Sequence, residues 1–412
     1  MNAQHGLLRS IERLVFEQRM LTGLIVVYGN AREYDSVTVG NAREVIKTQE
    51  GIVPDVRPLT AHTLYDLASL TKLFTAVSVL QLVERGMLRL TDTVAAADAR
   101  FSQLHSTTIQ EALTFQAVLK SPQRVDAQPD FDSAQRQVFA IYRSEHMPER
   151  LYSDMNALLL SYVVEGVTGQ DFYTYLKKNI LIPAGMQHTF AQVPAERVDD
   201  CVDYNLEHRI VEGDYQVLDD QPAGQPHDPK ARLLLRGGRL CGHAGLFSTA
   251  QDMARFAQAL LQGRLIARDT LLGMGVNRTG YNDQRGYRQY LGQLCFAKSP
   301  VQRLSELPSW MGQRAIGMSG YTGNHFALDP ELGVFDIFLG NRCHNRVSRI
   351  VPETAAQALG LADDGSGSVC WPDGRQVLSS FQYIYKKDEM LHQPVYQCLL
   401  DSGMIGGISR GT

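Results

Sequence analysis

Leu64-Tyr65-Asp66-Leu67-Ala68-Ser69-Leu70-Thr71-Lys72-Leu73-Phe74-Thr75-Ala76-Val77 is the stretch on which the reading of this 412-residue chain turns. Apolar residues fall almost all round a helical period from Leu67 to Arg85, and Gly86 stands at a C-cap position, so the segment predicts a helix buried on every side. Inside it lies Ser69-Leu70-Thr71-Lys72, the only S-x-x-K in the chain. At the start of a helix, side chains three positions apart share a face, which lets the ammonium reach the hydroxyl. A serine hydroxyl is a weak nucleophile at neutral pH and needs such an adjacent base or cation. A helix N-terminus also turns free N–H groups toward charge developing on a substrate oxygen. The four letters alone arise by chance roughly once in a chain of this length at average residue usage, so their weight depends on what surrounds them.

Working outward, Gly23 to Tyr28 and Ser36 to Val39 are short β-branched runs joined at Gly29-Asn30, as an antiparallel pair would be. Thr91-Asp92-Thr93 opens a stretch of helical apolar spacing to about residue 200, with Ala157 to Glu165 and Phe172 to Ile180 its clearest helices. Residues 201–241 hold Pro222, Gly224, Pro226, Pro229, Gly237 and Gly238, and they predict a long surface loop. Ser248-Thr249 reads as an N-cap for a helix over 250–261, Phe335 to Leu339 as a strand, and Pro352 to Leu361 as a helix after it. Strands at both ends with a helical insertion predict an α+β fold. Its antiparallel sheet domain, flanked by helices, spans 1–90 and 201–361; an all-helical lobe spans 91–200; the cleft between them is the natural site. Residues 362–412 are expected to be a small C-terminal appendage, with a linker over 362–368, a hairpin turn at Pro372-Asp373-Gly374 and a helix over 387–400.

Composition removes several classes of function. Lys plus Arg total 40 against 44 for Asp plus Glu, a net charge of −4, and no basic stripe runs along the chain, so nucleic acid is excluded as a partner. The six cysteines, Cys201, Cys241, Cys295, Cys343, Cys370 and Cys398, stand too far apart for C-x-x-C, and no histidine pair has metal-ligand spacing. No cofactor and no metal are expected; a metal site would have to be assembled from distant segments. The first twenty residues mix Arg9, Glu12, Arg13, Glu17 and Arg19 with Leu7, Leu8, Ile11, Leu14 and Val15, an amphipathic helix rather than a secretory signal. The longest apolar run, Leu158 to Val164, is far short of a membrane span. A soluble, cytoplasmic protein without a membrane partner is the expectation. G-x-S-x-G, the Walker A loop, G-x-G-x-x-G and H-E-x-x-H are all absent from the sequence.

Two further segments join the S-x-x-K. Tyr152-Ser153-Asp154 precedes a helix. A tyrosine beside a lysine ammonium can have its pKa, ordinarily about 10, lowered enough to accept a proton, although a helix cap at Ser153 or Asp154 beside a packed tyrosine also accounts for these letters. Gly317-Met318-Ser319-Gly320-Tyr321-Thr322-Gly323 lets a backbone approach closely and present an N–H to an oxyanion, or else makes a simple turn. In this order and at this spacing, the three segments resemble the serine β-lactamase and penicillin-binding-protein family, in the branch of class C β-lactamases, D-amino-acid peptidases and family VIII esterases. The resemblance runs from about Leu21 to Leu361, and includes Leu64-Tyr65-Asp66-Leu67-Ala68-Ser69, Gly242-His243-Ala244-Gly245-Leu246-Phe247-Ser248-Thr249 and Leu328-Asp329-Pro330-Glu331 as framework.

That resemblance implies a β-lactamase/transpeptidase-like fold, Ser69 as acylated nucleophile, and Lys72 with Tyr152 sharing the proton transfers. It places the N–H groups of Ser69 and Tyr321 in the oxyanion hole, with Ser319 and Gly320 beside it, and puts Asp154 where the family often has an asparagine touching the lysine and the substrate amide. His243 either lines the cleft or is hydrogen-bonded within a structural loop. Two departures bear on substrate. Met318 holds the first position of what is usually a K-T-G or H-T-G triplet, which removes the cation or imidazole that meets a substrate carboxylate; Leu113-Thr114-Phe115-Gln116 replaces a Leu-Thr-His-Thr-like segment. The expected function is a serine hydrolase cleaving a small ester or amide. The alternatives are a β-lactamase or D-alanyl carboxypeptidase, and a non-catalytic ligand-binding member of the fold.

Overall fold

In the computed structural model, residues 2–146, 151–280, 289–302, 305–359, 367–371 and 373–405 are described. The two central strands, Gly23–Asn30 and Val334–Gly340, are nearly continuous apolar runs because both faces of the sheet are covered. Around them a seven-stranded antiparallel sheet is ordered Phe296–Ala297, Ile316–Ser319, His325–Asp329, Val334–Gly340, Gly23–Asn30, Tyr34–Thr48, Gly51–Pro58. Alternate residues of one strand then serve different cores: Ile25 and Val27 join the large core shared with the helical lobe, while Leu24 and Val26 pack on the opposite side. The first reversal differs in detail from the sequence expectation. It falls at Ala31 and Arg32, where Asn30 Oδ1 accepts from the N–H groups of Arg32 (2.8 Å) and Glu33 (3.0 Å).

The Thr71–Glu84 helix is buried from Thr71 to Leu82 and stops at Gly86, whose φ of 68° suits only a residue without a Cβ penalty. It lies against the Asp154–Thr168 helix of the inserted lobe. Among its described residues the lobe is mainly helical, and its strands Leu119–Lys120 and Tyr142–Arg143 pair antiparallel on either side, in sequence, of the Phe131–Phe139 helix.

Residues 201–241 are not a surface loop. They carry two strands, Glu207–Val211 and Asp214–Leu218, turned at Glu212 and Gly213 with both φ positive, and the helix Pro229–Leu235. The hairpin escapes the pattern reading because both faces of its first strand bury a polar residue, Glu207 on one and His208 on the other, each inaccessible to solvent. With Arg346–Val351, Gln376–Ser379 and Ser368–Cys370 it forms a second, mixed sheet.

The C-terminal segment is built into the body rather than appended. Two of its strands extend the second sheet, and the run Tyr383–Lys387, Asp388–His392 and Gln393–Asp401 packs on the back of the main sheet beside the N-terminal helix Ala3–Glu12. The expected linker at Ala362 to Ser366 lies outside the described residues, as does Pro372; the turn expected there ends at Gly374, with φ of 86°. The helix expected over 352–361 is confined to Ala355–Ala358, residues 360 and 361 being outside the description. Among the described residues, no helix is long and apolar enough to cross a membrane.

Candidate active site

The turn that presents Ser69 is held in an uncommon conformation. Ala68 has φ of 47°, a left-handed value that costs a non-glycine residue about 1–3 kcal/mol unless its surroundings impose it. Asp66 does so: its fully buried carboxylate accepts from the N–H of Ala68 (2.9 Å) and from that of His227 (2.7 Å). Its carbonyl also takes Asn324 Nδ2 (2.7 Å) and Thr322 Oγ1 (3.2 Å), tying this turn to the one after the Ile316–Ser319 strand. The two turns touch at Gly320, where a Cβ would sit 3.0 Å from the Leu67 carbonyl oxygen and 3.4 Å from the Ala68 Cβ. Any larger residue there would push the turns apart.

Lys72 is entirely buried and spends all three ammonium donors, on Ser69 Oγ (2.9 Å), Asp154 Oδ1 (2.8 Å) and the His243 carbonyl (3.2 Å). Burial alone would lower its pKa, but the neighbouring Asp154 charge, with Tyr152, outweighs it and holds the ammonium above its ordinary value. Asp154 opens its helix behind the Ser153 N-cap, where the helix N-terminus also favours a carboxylate. Burial works to raise its pKa; Lys72 first, then His243 and Lys230, keep it well below the usual carboxylate range.

The charges continue beyond Lys72. Asp154 Oδ2 meets Lys230 Nζ at 3.1 Å, Lys230 meets Asp228 Oδ2 at 3.1 Å, and Asp228 Oδ1 meets His243 Nε2 at 3.0 Å. An alternating chain thus returns to the residue whose carbonyl anchors Lys72. Sequence reasoning missed Lys230 and Asp228. Asp228-Pro229-Lys230 signals only a helix start, capped by Asp228 with Pro at its first position, and nothing local says that it reaches a carboxylate some seventy residues away. The donor atoms of Asp154, Asp228 and His243 come within 4.8 Å of one another. Lys72 and Lys230 already neutralise the two carboxylates, so this group is an ion-pair chain rather than a vacant metal site.

Tyr152 is stacked between Phe115 and Phe296, each 5.5 Å away between ring centroids, and its ring lies 4.9 Å from Lys72 Nζ. Its hydroxyl touches Met318 Sδ at 3.7 Å and also interacts with Lys72 and Ser69. The unusual Phe115 therefore builds one wall of the tyrosine's slot. Burial raises the pKa of the phenol, and the opposing pull of the ammonium does not overcome it. At rest the group is a phenol, not the phenolate that proximity to Lys72 alone suggests.

The remaining candidates divide. Gly320 and Tyr321 reach the site: the strand stops at Ser319, Gly320 N–H is taken by the Asn324 carbonyl (2.8 Å), and Tyr321 follows beside the nucleophile turn. The Tyr321 hydroxyl donates to Glu207 (2.8 Å) while its ring stacks on His227 at 5.3 Å, which fixes the backbone at this point. His243 contributes its carbonyl; its ring is buried against Asp228 rather than lining the opening. Ser319 is not brought to Ser69 by its hydroxyl, which faces the back of the sheet and meets Glu306 (2.8 Å), His325 Nδ1 (2.9 Å) and Lys387 (2.9 Å). A cavity of about 400 Å³ opens beside Asp154, with Lys120, Arg124, Ser153 and Lys230 on its walls.

A strained serine turn at a helix start, a buried lysine bonded to that serine and a tyrosine over the lysine define a serine hydrolase of the β-lactamase/transpeptidase fold. The chain belongs to the beta-lactamase family, whose model matches residues 9–360. A curated relative from Escherichia coli, a putative D-alanyl-D-alanine carboxypeptidase, is 29% identical over 342 residues, covering 73% of this chain and 75% of its own. Among solved structures, a penicillin-binding protein homolog from Caulobacter crescentus superposes with TM-score 0.62 at 19% identity, over 85% of this chain and 94% of that one. EstCE1, a hydrolase with promiscuous acyltransferase activity, does so with TM-score 0.63 at 15% identity, over 82% and 93%.

Proposed function

We propose that the protein cleaves a small ester or amide through an acyl-enzyme on Ser69, and that its substrate lacks a carboxylate beside the scissile bond. The observation that carries the first part is the contact of buried Lys72 with both Ser69 Oγ and Asp154, at 2.9 and 2.8 Å. Ser69 Oγ attacks the carbonyl carbon and its proton passes to the Lys72–Tyr152 pair. The oxygen of the tetrahedral intermediate is met by the N–H groups of Ser69 and Tyr321. The pair returns the proton to the departing alcohol or amine, and water enters by the same path in reverse to release the acid. Lys72 and Tyr152 both hold their protons at rest, so the reactive form is the pair short of one proton.

Met318 supports the second part. It is fully buried against the Tyr152 hydroxyl, where a thioether offers nothing to a carboxylate. A second reading, hydrolysis of a D-alanyl peptide, is favoured by the name of the Escherichia coli relative. Intact-protein mass spectrometry separates them, using a fluorophosphonate and a penicillin on wild type and Ser69→Ala. The expected result is a fluorophosphonate adduct on wild type only, with no penicillin adduct. Penicillin adducts on wild type would favour the second reading. Fluorophosphonate labelling that survives Ser69→Ala would remove Ser69 as nucleophile, and no adduct on folded wild type would leave a ligand-binding member of the fold.

A further inference from the structure

Behind the strand that ends at Ser319, the structure buries a second cluster that the hydrolase chemistry does not use. His325, Asp336 and His392 come from two neighbouring sheet strands and from the turn Asp388–His392 of the C-terminal helices. Their exposures are 0%, 0% and 2%. A ring nitrogen of each histidine and a carboxylate oxygen of the aspartate lie within 4.8 Å of one another. We propose that these three side chains bind one divalent transition-metal ion, with zinc the best match to the donors, and that the ion fastens the C-terminal helices to the back of the sheet.

Two of the atoms facing this cluster have no partner. His392 Nδ1 meets Asp336 Oδ2 at 2.6 Å, which leaves Asp336 Oδ1 buried without a hydrogen bond, and His325 Nε2 is likewise buried and unbonded. Each such atom costs about 1–3 kcal/mol when left unsatisfied. No tautomer of His325 cures its share: its Nδ1 is occupied by Ser319 Oγ at 2.9 Å, so Nε2 is left over either as an N–H or as a lone pair. A metal ion on Nε2 takes up the lone pair that is otherwise left over there. His325 Nδ1–H then donates to Ser319 Oγ, that hydroxyl donates to Glu306 Oε2 (2.8 Å), and its second lone pair accepts from Lys387 Nζ (2.9 Å). This is the outer hydrogen bonding that orients a ligating imidazole.

Two imidazoles and a carboxylate are a recurrent zinc donor set that leaves a fourth position for water. The contrast with the other buried trio, Glu207, His227 and Cys343, sharpens the assignment. There the carboxylate already accepts from Arg209 (2.9 Å), His227 (2.7 Å) and the Tyr321 hydroxyl (2.8 Å), and no oxygen is spare.

The test uses the full chain carrying no polyhistidine tag. Wild type, Asp336→Asn and His392→Gln are loaded with excess Zn²⁺, exchanged into metal-free buffer and assayed for metal by mass spectrometry, with thermal melting before and after a strong chelator. The expected result is about one zinc per wild-type chain, a melting temperature several degrees lower after chelation, and loss of both effects in the variants. Less than about a tenth of an equivalent on wild type, or full retention in both variants, overturns the proposal. Should the variants fail to fold, Co²⁺ on wild type decides. Visible ligand-field bands without an intense thiolate band support nitrogen and oxygen ligands; a thiolate band or no ligand-field bands overturns them.

Discussion

Met318 and Ser319 are neighbours on one strand, and the pleat sends their side chains into two different kinds of polar cluster. In front, beyond Met318, the charges of Lys72, Asp154, Lys230 and Asp228 alternate and the carboxylates are paired, next to a cavity of about 400 Å³ beside Asp154. Behind, around Ser319, a lysine, a glutamate and a histidine meet at one hydroxyl, and two buried polar atoms without partners, Asp336 Oδ1 and His325 Nε2, lie beyond them. Pairing of both carboxylates with lysines fits the proton transfer proposed for the front cluster, since no uncompensated charge is left there. The rear cluster holds elements together.

Substitutions on the two faces should therefore separate turnover from stability. Tyr152→Phe is expected to cost the most turnover, about a hundred- to ten-thousandfold in kcat, because it deletes one member of the proton-transferring pair; steady-state kinetics measures it, and unchanged kcat would assign the whole task to Lys72. Asp154→Asn comes next and acts on the pH profile. Asp154 raises the Lys72 pKa, and the reactive form lacks one proton, so wild-type kcat/KM should climb with pH into the alkaline range. Removing the carboxylate should move that climb to lower pH by about one unit or more. A rise that stays in place would uncouple Asp154 from the titrating pair.

Met318→Lys is expected to give a smaller change, a few-fold gain in kcat/KM for carboxylate-bearing esters relative to neutral ones. No gain would mean that the cleft excludes such substrates by shape. The smallest effect on turnover, within about twofold, belongs to Ser319→Ala, which should instead lower stability by about 1–3 kcal/mol in denaturant melts because three polar groups lose their shared partner. A large loss of kcat without loss of stability would put Ser319 in the substrate site after all.

Much of the front was legible in the sequence, and little of the back. The buried helix from Thr71, its stop at Gly86, the Thr249 cap and the strand over 334–340 follow from periodicity and capping, which act over a few residues. The hairpin at Glu207–Leu218 did not, because its interior is made by Glu207 pairing with Arg209, His227 and Tyr321 rather than by apolar alternation. Lys230 falls in the stretch that the sequence predicts as a surface loop, and Lys387 at the start of a predicted helix. Each is instead largely buried by a partner far along the chain, Asp154 in one case and Ser319 in the other. The resting state of Tyr152, left open between a proton acceptor and a packed tyrosine beside a cap, was not legible for a related reason. Sequence placed a cation beside it, but the two aromatic walls that desolvate it come from Phe115 and Phe296, on separate segments.

The central strand Gly23–Asn30 bonds on one side to Tyr34–Thr48 and on the other to Val334–Gly340. During synthesis the first of these partners follows almost at once, whereas the second emerges some three hundred residues later, roughly 15–60 s at about 5–20 residues per second. Through that interval one edge of the future mid-sheet strand is unpaired, and the strands on either side of the oxyanion turn have yet to be made. Catalysis therefore begins only after Val334–Gly340 has left the ribosome, and that waiting period is when a half-built sheet is most open to chaperone capture or to aggregation.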